Sequence, residues 1–287
     1  MIEVKKMDLV CAFIILHYNS YEATKVCVDS ILGLDKQECV KVIVIDNSSA
    51  NDSYKKLCET YSGTKVELLQ TEYNCGFSAA NNIAYEYCKK KYDCDFVIFA
   101  NNDLEFIQKD FVKRIYEEYQ NSKFAVLGPD IYNPIIDTHQ SPISYEMQRS
   151  KSQVKKTIIF NRLALTFFDL YYMFFGKSRN DNPEIKDAGV YQENVIPLGA
   201  CLVISKKLLK KKSVVFSPET FFYYEEYILA DWCLKNNEKM VYQPAIKVKH
   251  YHGMATKTVG NAKQSELFRM KNIYNSSKIY YKQLQMR

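Results

Sequence analysis

The chain is short of tryptophan, histidine and glycine: one Trp, four His and nine Gly in 287 residues. Its few glycines form no G-x-G-x-x-G after the first apolar run and no G-x-x-x-x-G-K-[ST] anywhere. The first absence disfavours a dinucleotide-dependent oxidoreductase, and the second disfavours a P-loop nucleotide hydrolase. No two of the nine cysteines are spaced C-x-x-C, so a zinc site is not expected. Their odd number, and the place of Cys11, Cys27 and Cys201 inside apolar patterns, predict packed, reduced thiols in a cytosolic protein. No apolar run reaches the ~18–20 uninterrupted residues of a spanning helix. The opening MIEVKKMDLV enters a strand-like run too short for a signal-peptide core. The expected location is therefore the cytoplasm, with peripheral binding to the inner face of the cell membrane if a segment touches lipid. Charge is not strongly one-signed. A net +6 fits an anionic substrate or an acidic membrane surface and does not call for nucleic acid.

What is present is an alternation of strand-like and helix-like segments. Apolar runs at Leu9 to Leu16, Val40 to Ile45, Lys65 to Leu69 and Phe96 to Ala100 read as strands. Helical patterns follow from Tyr21 (with Ser20 as its cap), over Ser53 to Tyr61, over Ser78 to Lys90 and over Gln108 to Tyr119. Strand and helix in turn over the first ~125 residues predict a parallel sheet with helices on both faces, a Rossmann-like half. Its best marked strand, FVIFANNDLE over Phe96 to Glu105, stops abruptly on Asn101, Asn102 and Asp103. Ligands of open α/β sheets bind at the carboxyl ends of strands. A carboxylate placed there can hold a hard cation, and the cation a diphosphate. The same three residues could instead form a plain turn into the next helix.

The pattern then changes. Asn133 to Gln153 is polar and reads as a long surface loop. Thr157 to Phe175 is apolar and aromatic, with Lys151, Lys155, Lys156, Lys177 and Arg179 at its flanks. Such a segment is either a helix docked on the domain or an interfacial helix whose basic flanks meet anionic headgroups. Val195 to Ser205 returns to strand character, broken at Gly199. An aromatic run at Phe221 to Tyr224 leads into Glu225-Glu226 and a helix to Lys235. Ala245 to His250 reads as a strand, and Ser265 to Gln283 as a basic, Tyr-rich helix.

Four polar clusters thus follow strands or open helices: Asp46, Asp103, Glu225-Glu226 and His250 with His252. Each has a bland reading as a turn, an acidic helix start or a core histidine. Together with their flanking blocks they resemble a family 2 glycosyltransferase of the GT-A fold, in its rhamnosyltransferase-like branch. The blocks are IILHYNS at 14–20, VIVIDNSS at 42–49, NCGFSAANN at 74–82 and FANND at 99–103. In the second half they are LGACLVIS at 198–205, FFYYEEYILADWCL at 221–234 and VKHYHG at 248–253.

The resemblance implies an α/β GT-A fold. One catalytic domain would span residues 1–260, with a nucleotide-sugar half at 8–125 and an acceptor half at 126–260 that carries an insertion at 133–193. A C-terminal helical extension would occupy 261–287. The implied activity is transfer of a hexose or deoxyhexose from a UDP-, dTDP- or GDP-linked donor, with inversion and with Mn²⁺ or Mg²⁺. The acceptor would be a cell-surface glycan or its lipid-linked precursor, reached through peripheral contact with an anionic membrane. By the same resemblance Asp46 would contact the nucleotide base or ribose, beside Tyr18 and Asn19. Asn74, Gly76 and Phe77 would shape the donor pocket, with Asn81 and Asn102 nearby. Asp103 would end a DxD-type metal site begun by Asn101, and His250, with His252 second, would be the C-terminal metal or diphosphate contact. Glu226, or else Glu225, would be the catalytic base. Asn101 stands where the family has Asp, and Glu226 where the family pair ends in Asp. A nucleotide-sugar-binding or scaffold protein without catalysis is the alternative these departures leave.

Overall fold

The computed structural model describes residues 9–176, 185, 188–251 and 261–286. The amino-terminal half alternates as expected: β1 (Cys11–His17), α1 (Tyr21–Leu32), β2 (Val40–Asp46), α2 (Ser53–Thr60), β3 (Val66–Gln70), α3 (Gly76–Lys91) and β4 (Phe96–Asn101). These strands pair in parallel in the order β3-β2-β1-β4. Their continuous apolar runs exist because both sheet faces are covered. Along β1, Cys11, Phe13 and Ile15 enter one core cluster, while Ala12 and Ile14 enter the other.

The second half adds β5 (Leu104–Glu105), α4 (Phe111–Ser122), β6 (Val126–Asn133), β7 (Thr138–His139), α5 (Lys151–Thr166), α6 (Phe168–Phe175), β8 (Gln192–Glu193), β9 (Cys201–Ser205), α7 (Lys206–Leu209), α8 (Glu225–Lys235), β10 (Met240–His250) and α9 (Ala262–Gln285). All strands join one sheet of order β3-β2-β1-β4-β9-β6-β10-β5, with β7 and β8 on its margins. β9 lies antiparallel between β4 and β6, whereas β10 runs parallel to β6. The antiparallel β5–β10 ladder pairs Leu104 with His250, and so brings the end of β10 to the polar turn after β4.

Several boundaries differ from the sequence reading. α1 starts at Tyr21, but the Ser20 side chain makes no capping bond; its carbonyl instead accepts from the Thr24 backbone N–H and hydroxyl. α4 starts at Phe111 because the Gln108 amide is drawn to β10, donating to the Ala245 carbonyl and accepting from the Lys247 N–H. There β10 slips register between Gln243 and Lys247, around Pro244, whose ring has no N–H to give the ladder. The single helix expected over 157–175 is two helices bent by 102°, and the first begins earlier, at a Ser150/Gln153 capping box. At the bend the Thr166 hydroxyl donates to the Arg162 carbonyl, a back-bond that competes with the helical ladder. α9 packs along α5 through Val154, Tyr280 and Leu284, and near the bend through Ala164, Tyr171 and Met270. None of the nine cysteines is disulfide-bonded. Among the described residues no single helix is long and apolar enough to cross a membrane.

Candidate active site

The carboxyl ends of β1, β2 and β4 lie side by side, since His17 pairs with Asp46 and Leu16 with Asn101. Asp46 is fully buried. Its carboxylate accepts from the Ser49 N–H and hydroxyl and, at 2.8 Å, from Gln70 Nε2. Asn19 sits in the left-handed region (φ 56°), where Asn is tolerated, and there joins β1 to the loop after β2. Its N–H donates to Ser49 Oγ and its Oδ1 accepts from the Ala50 N–H. Tyr18 beside it is half-buried.

Asn47, which the sequence reading did not single out, organises the next loop. Its Nδ2 donates to Asn74 Oδ1 and its Oδ1 accepts from the Cys75 N–H, each at 2.9 Å. Gly76 has φ 83°, and a Cβ there would lie 2.6 Å from the Phe221 carbonyl oxygen and ring. Only glycine therefore lets α3 begin against Phe221, whose carbonyl accepts from the Phe77 N–H at 2.8 Å. The Phe77 ring packs on Phe216 and Phe222 rather than standing free. Asn81, expected near the donor, is buried and donates to the Phe77 carbonyl of its own helix. Asn82, also buried, is the residue that reaches beyond its helix, accepting from the Val215 and Phe216 N–H groups.

Asn102 is also turned inward. Its amide donates to Thr24 Oγ1 at 2.9 Å. Thr24 gives its own proton to the Ser20 carbonyl and so accepts from His17 Nδ1 at 2.6 Å. That leaves His17 Nε2 to accept from Ser53 Oγ at 2.9 Å. Burial pushes the His17 imidazole down to about 4, against the pull of Asp46, so it is neutral near pH 7. A buried polar chain thus joins the turn after β4 to the end of β1.

Asp103 and His250 meet: Nε2 of the histidine lies 3.1 Å from Asp103 Oδ1, with both side chains nearly buried. Gln140 Oε1 lies 2.7 Å from His250 Nδ1 and orients the ring. Asn101 ends β4 with its N–H on the Ala200 carbonyl and its own carbonyl facing the Cys27 thiol. Among the described residues no three His, Cys, Asp or Glu side chains converge on one point. His252 lies outside the described residues.

The two glutamates part company. Glu225 is buried against Ser78, whose hydroxyl lies 3.3 Å from Oε1 and 2.7 Å from Thr220 Oγ1. Burial, helped by the charge of Glu226, pushes the Glu225 carboxyl up to about 8, so it holds a proton near neutrality. Glu226 instead lines a cavity of about 580 Å³, within the usual range for small-ligand sites. Its Oε1 accepts from the Gly199 N–H at 2.9 Å. Desolvation raises its pKa too, opposed by its own and the Gly199 backbone N–H. Gly199 is required for this approach, since a Cβ there would sit 2.3 Å from Glu226 Oε1. Tyr223 and Tyr224, just before the pair, both take φ 70°, a strained setting for bulky residues that the surrounding packing must hold. Arg149 and Arg269 also line the cavity and were not foreseen, and Lys156, read from the sequence as a basic flank of the apolar segment, lines it too.

A low-salt glycan biosynthesis hexosyltransferase, Agl10 of Haloferax volcanii, is 27% identical over 122 residues, 42% of this chain and 36% of that protein. The crystal structure of S. aureus TarS 1–349 superposes with a TM-score of 0.54 at 14% identity, over 84% of this chain and 60% of that one. Its complex with UDP-GlcNAc gives 0.51 at 14% identity, over 91% and 65%. This chain therefore spans about a third of the hexosyltransferase and under two thirds of TarS 1–349. The likeness to TarS shows the GT-A fold expected from the sequence. Residues 12–185, from β1 to beyond α6, match the description Glycosyl transferase family 2, and since that is more than half of the chain, the protein belongs to glycosyl transferase family 2.

Proposed function

We propose that the protein is a metal-dependent, inverting glycosyltransferase that moves a sugar from a nucleoside diphosphate to a glycan acceptor. The observation that carries this reading is Glu226: a carboxylate of raised pKa, held by the Gly199 N–H, in the wall of a ligand-sized cavity. A general base works best when its pKa lies near the working pH. Burial raises both carboxyls, so the adjacent pair avoids carrying two buried charges at once, and Glu226 is the member that faces the cavity. Glu226 would take the proton of the acceptor hydroxyl as that oxygen attacks the anomeric carbon. Attack from the face opposite the leaving diphosphate inverts the anomeric centre in one displacement.

The donor would lie along the β1–β2–β4 edge, with the Asp46 loop, Tyr18, Asn19, Asn74 and Gly76 around its nucleotide. TarS, of the same fold, has been crystallised with UDP and with UDP-GlcNAc, which supports a UDP-type donor, with dTDP and GDP as the other nucleotides to test. Asp103 and His250 fit a hard divalent cation, Mn²⁺ or Mg²⁺, when diphosphate oxygens and water complete its ligands. Bound there, the ion supplies Lewis-acid neutralisation of the departing diphosphate. With Asn101 neutral, Asp103 is the one carboxylate of that triplet. The apolar α5–α6 face supports a working position on the inner face of the membrane.

A donor screen across UDP-, dTDP- and GDP-sugars with Mn²⁺ and Mg²⁺ tests the reading. Glu226→Gln should keep donor binding and lose about 10²–10⁴ in transfer rate. Donor binding without product formation under every donor and metal would leave a nucleotide-sugar-binding protein as the better description, and full turnover in Glu226→Gln would remove Glu226 from the role of base.

A further inference from the structure

The turn that carries Asp103 is held from behind by one face of α1. Thr24, Cys27 and Ser30 are spaced three residues apart on that helix and so line one side of it. Thr24 Oγ1 accepts from the Asn102 amide at 2.9 Å, the Cys27 thiol donates to the Asn101 carbonyl at 3.6 Å, and Ser30 Oγ accepts from the Phe106 N–H at 3.0 Å. The segment from Asn101 to Phe106 is thus tied to α1 along its length. On the other side, the Asp103 carbonyl accepts from the Tyr251 N–H at 3.0 Å and the Asp103 carboxylate meets His250. Asn102 and Asp103 are both buried between these supports.

Of these ties, the one through Thr24 lies deepest. Thr24 and His17 are fully buried. The Thr24 proton goes to the Ser20 carbonyl at 3.0 Å, so its oxygen can only accept, from Asn102 and from His17 Nδ1. The ring then carries its proton on Nδ1, and Nε2 accepts from Ser53, the first residue of α2. The Ser53 N–H donates to Asn51 Oδ1 at 3.1 Å, and the Asn51 amide donates to the Asn19 carbonyl at 2.9 Å. One hydrogen-bonded chain, with donor matched to acceptor at each step, runs from the loop at Asn19 to the turn at Asn102. The transfer chemistry itself makes no use of His17 or Thr24.

We propose that Thr24 and His17 are positioning residues for the divalent cation. His17 Nδ1–H fixes the Thr24 hydroxyl, Thr24 holds Asn102, and Asn102 sets the turn that aims the neighbouring Asp103 carboxylate. This rests on the reading of Asp103 and His250 as metal contacts. Packing alone does not call for these side chains, since valine has nearly the volume of threonine. What the hydroxyl adds is a fixed acceptor for two buried donors, each costly to leave unpaired. Groups that orient metal-binding side chains from behind govern metal affinity, and losing one weakens it by about tenfold or more.

Calorimetry of UDP binding to the full chain, once with Mn²⁺ and once with EDTA, tests this. Mn²⁺ should tighten UDP binding in the unaltered protein. In Thr24→Val that tightening should shrink by about tenfold, while UDP affinity in EDTA holds; Thr24→Ser, which keeps the hydroxyl, should retain it. Two amides at position 17 separate positioning from packing. Asn places its amide near the Nδ1 position and Gln near Nε2, so His17→Asn should keep the tightening and His17→Gln should lose it. Loss of packing alone gives the opposite order, because asparagine leaves the larger void. This pair carries the test if Thr24→Val folds poorly. Full tightening in Thr24→Val and His17→Gln overturns the proposal and leaves the metal reading standing. A fall in EDTA as large as the fall with Mn²⁺ also overturns it, since these residues would then serve the nucleotide loop or the fold. No tightening in the unaltered protein overturns the metal reading and the proposal with it.

Discussion

Substituting Gly199 with alanine probes the base without touching it. The new methyl carbon would stand 2.3 Å from Glu226 Oε1, 2.9 Å from Cδ and 3.1 Å from Cγ, where ordinary contact begins at 3.4 Å. The atom that must yield is the end of a flexible side chain, so the carboxylate moves by about 1 Å and the fold is kept. Such a displacement of a reacting group costs about 10²-fold in rate, equivalent to about 2.7 kcal/mol of barrier. Gly199→Ala should therefore lower kcat by roughly that factor while nucleotide affinity and the urea midpoint hardly change. The assay is steady-state transfer with the donor that the screen identifies, with calorimetry of nucleotide binding alongside. In a Glu226→Gln background the same substitution should add almost nothing, because both act through one group. An unchanged kcat in Gly199→Ala, or a full additional loss in the double variant, would refute the role given to Glu226.

Other outcomes follow from the same geometry. Asp103→Asn should remove most metal-stimulated turnover and weaken Mn²⁺ binding in the presence of UDP, and EDTA should mimic it; full activity after thorough chelation would exclude the metal role. Glu225 has its folded pKa raised from 4.5 to about 8, so the unfolded chain binds fewer protons across that window. Stability should fall as pH rises through it, and Glu225→Gln should flatten the slope; parallel urea midpoint profiles would contradict this. The α5–α6 face should bind anionic vesicles weakly and salt-sensitively, and Met173→Ser should reduce binding. Equal cosedimentation with neutral vesicles would argue for a face that meets no anionic headgroups.

The sequence by itself determined the amino-terminal half. Its strands announce themselves because a strand covered on both faces must be apolar at every position, as in Cys11 to Leu16 and Val42 to Ile45. Each stops where polar residues reach the sheet edge, so Asp46 and Asp103 were visible as strand ends. The family blocks rest on these same local rules. Tertiary structure decided the rest. Glu225 and Glu226 are chemically identical neighbours, yet one faces Ser78 in the interior and the other Gly199 and the cavity. The two arms of the broken 157–175 helix pack on Met270 of α9, about 100 residues away in the chain. Arg149 lies in a polar stretch without periodicity, and Tyr224, Tyr227 and Thr157 give its guanidinium a place. Asp103 and His250 are 147 residues apart and meet because β5 and β10 pair in one register. Periodicity reports which way a side chain leaves its own element; which element waits there is fixed only when the sheet closes.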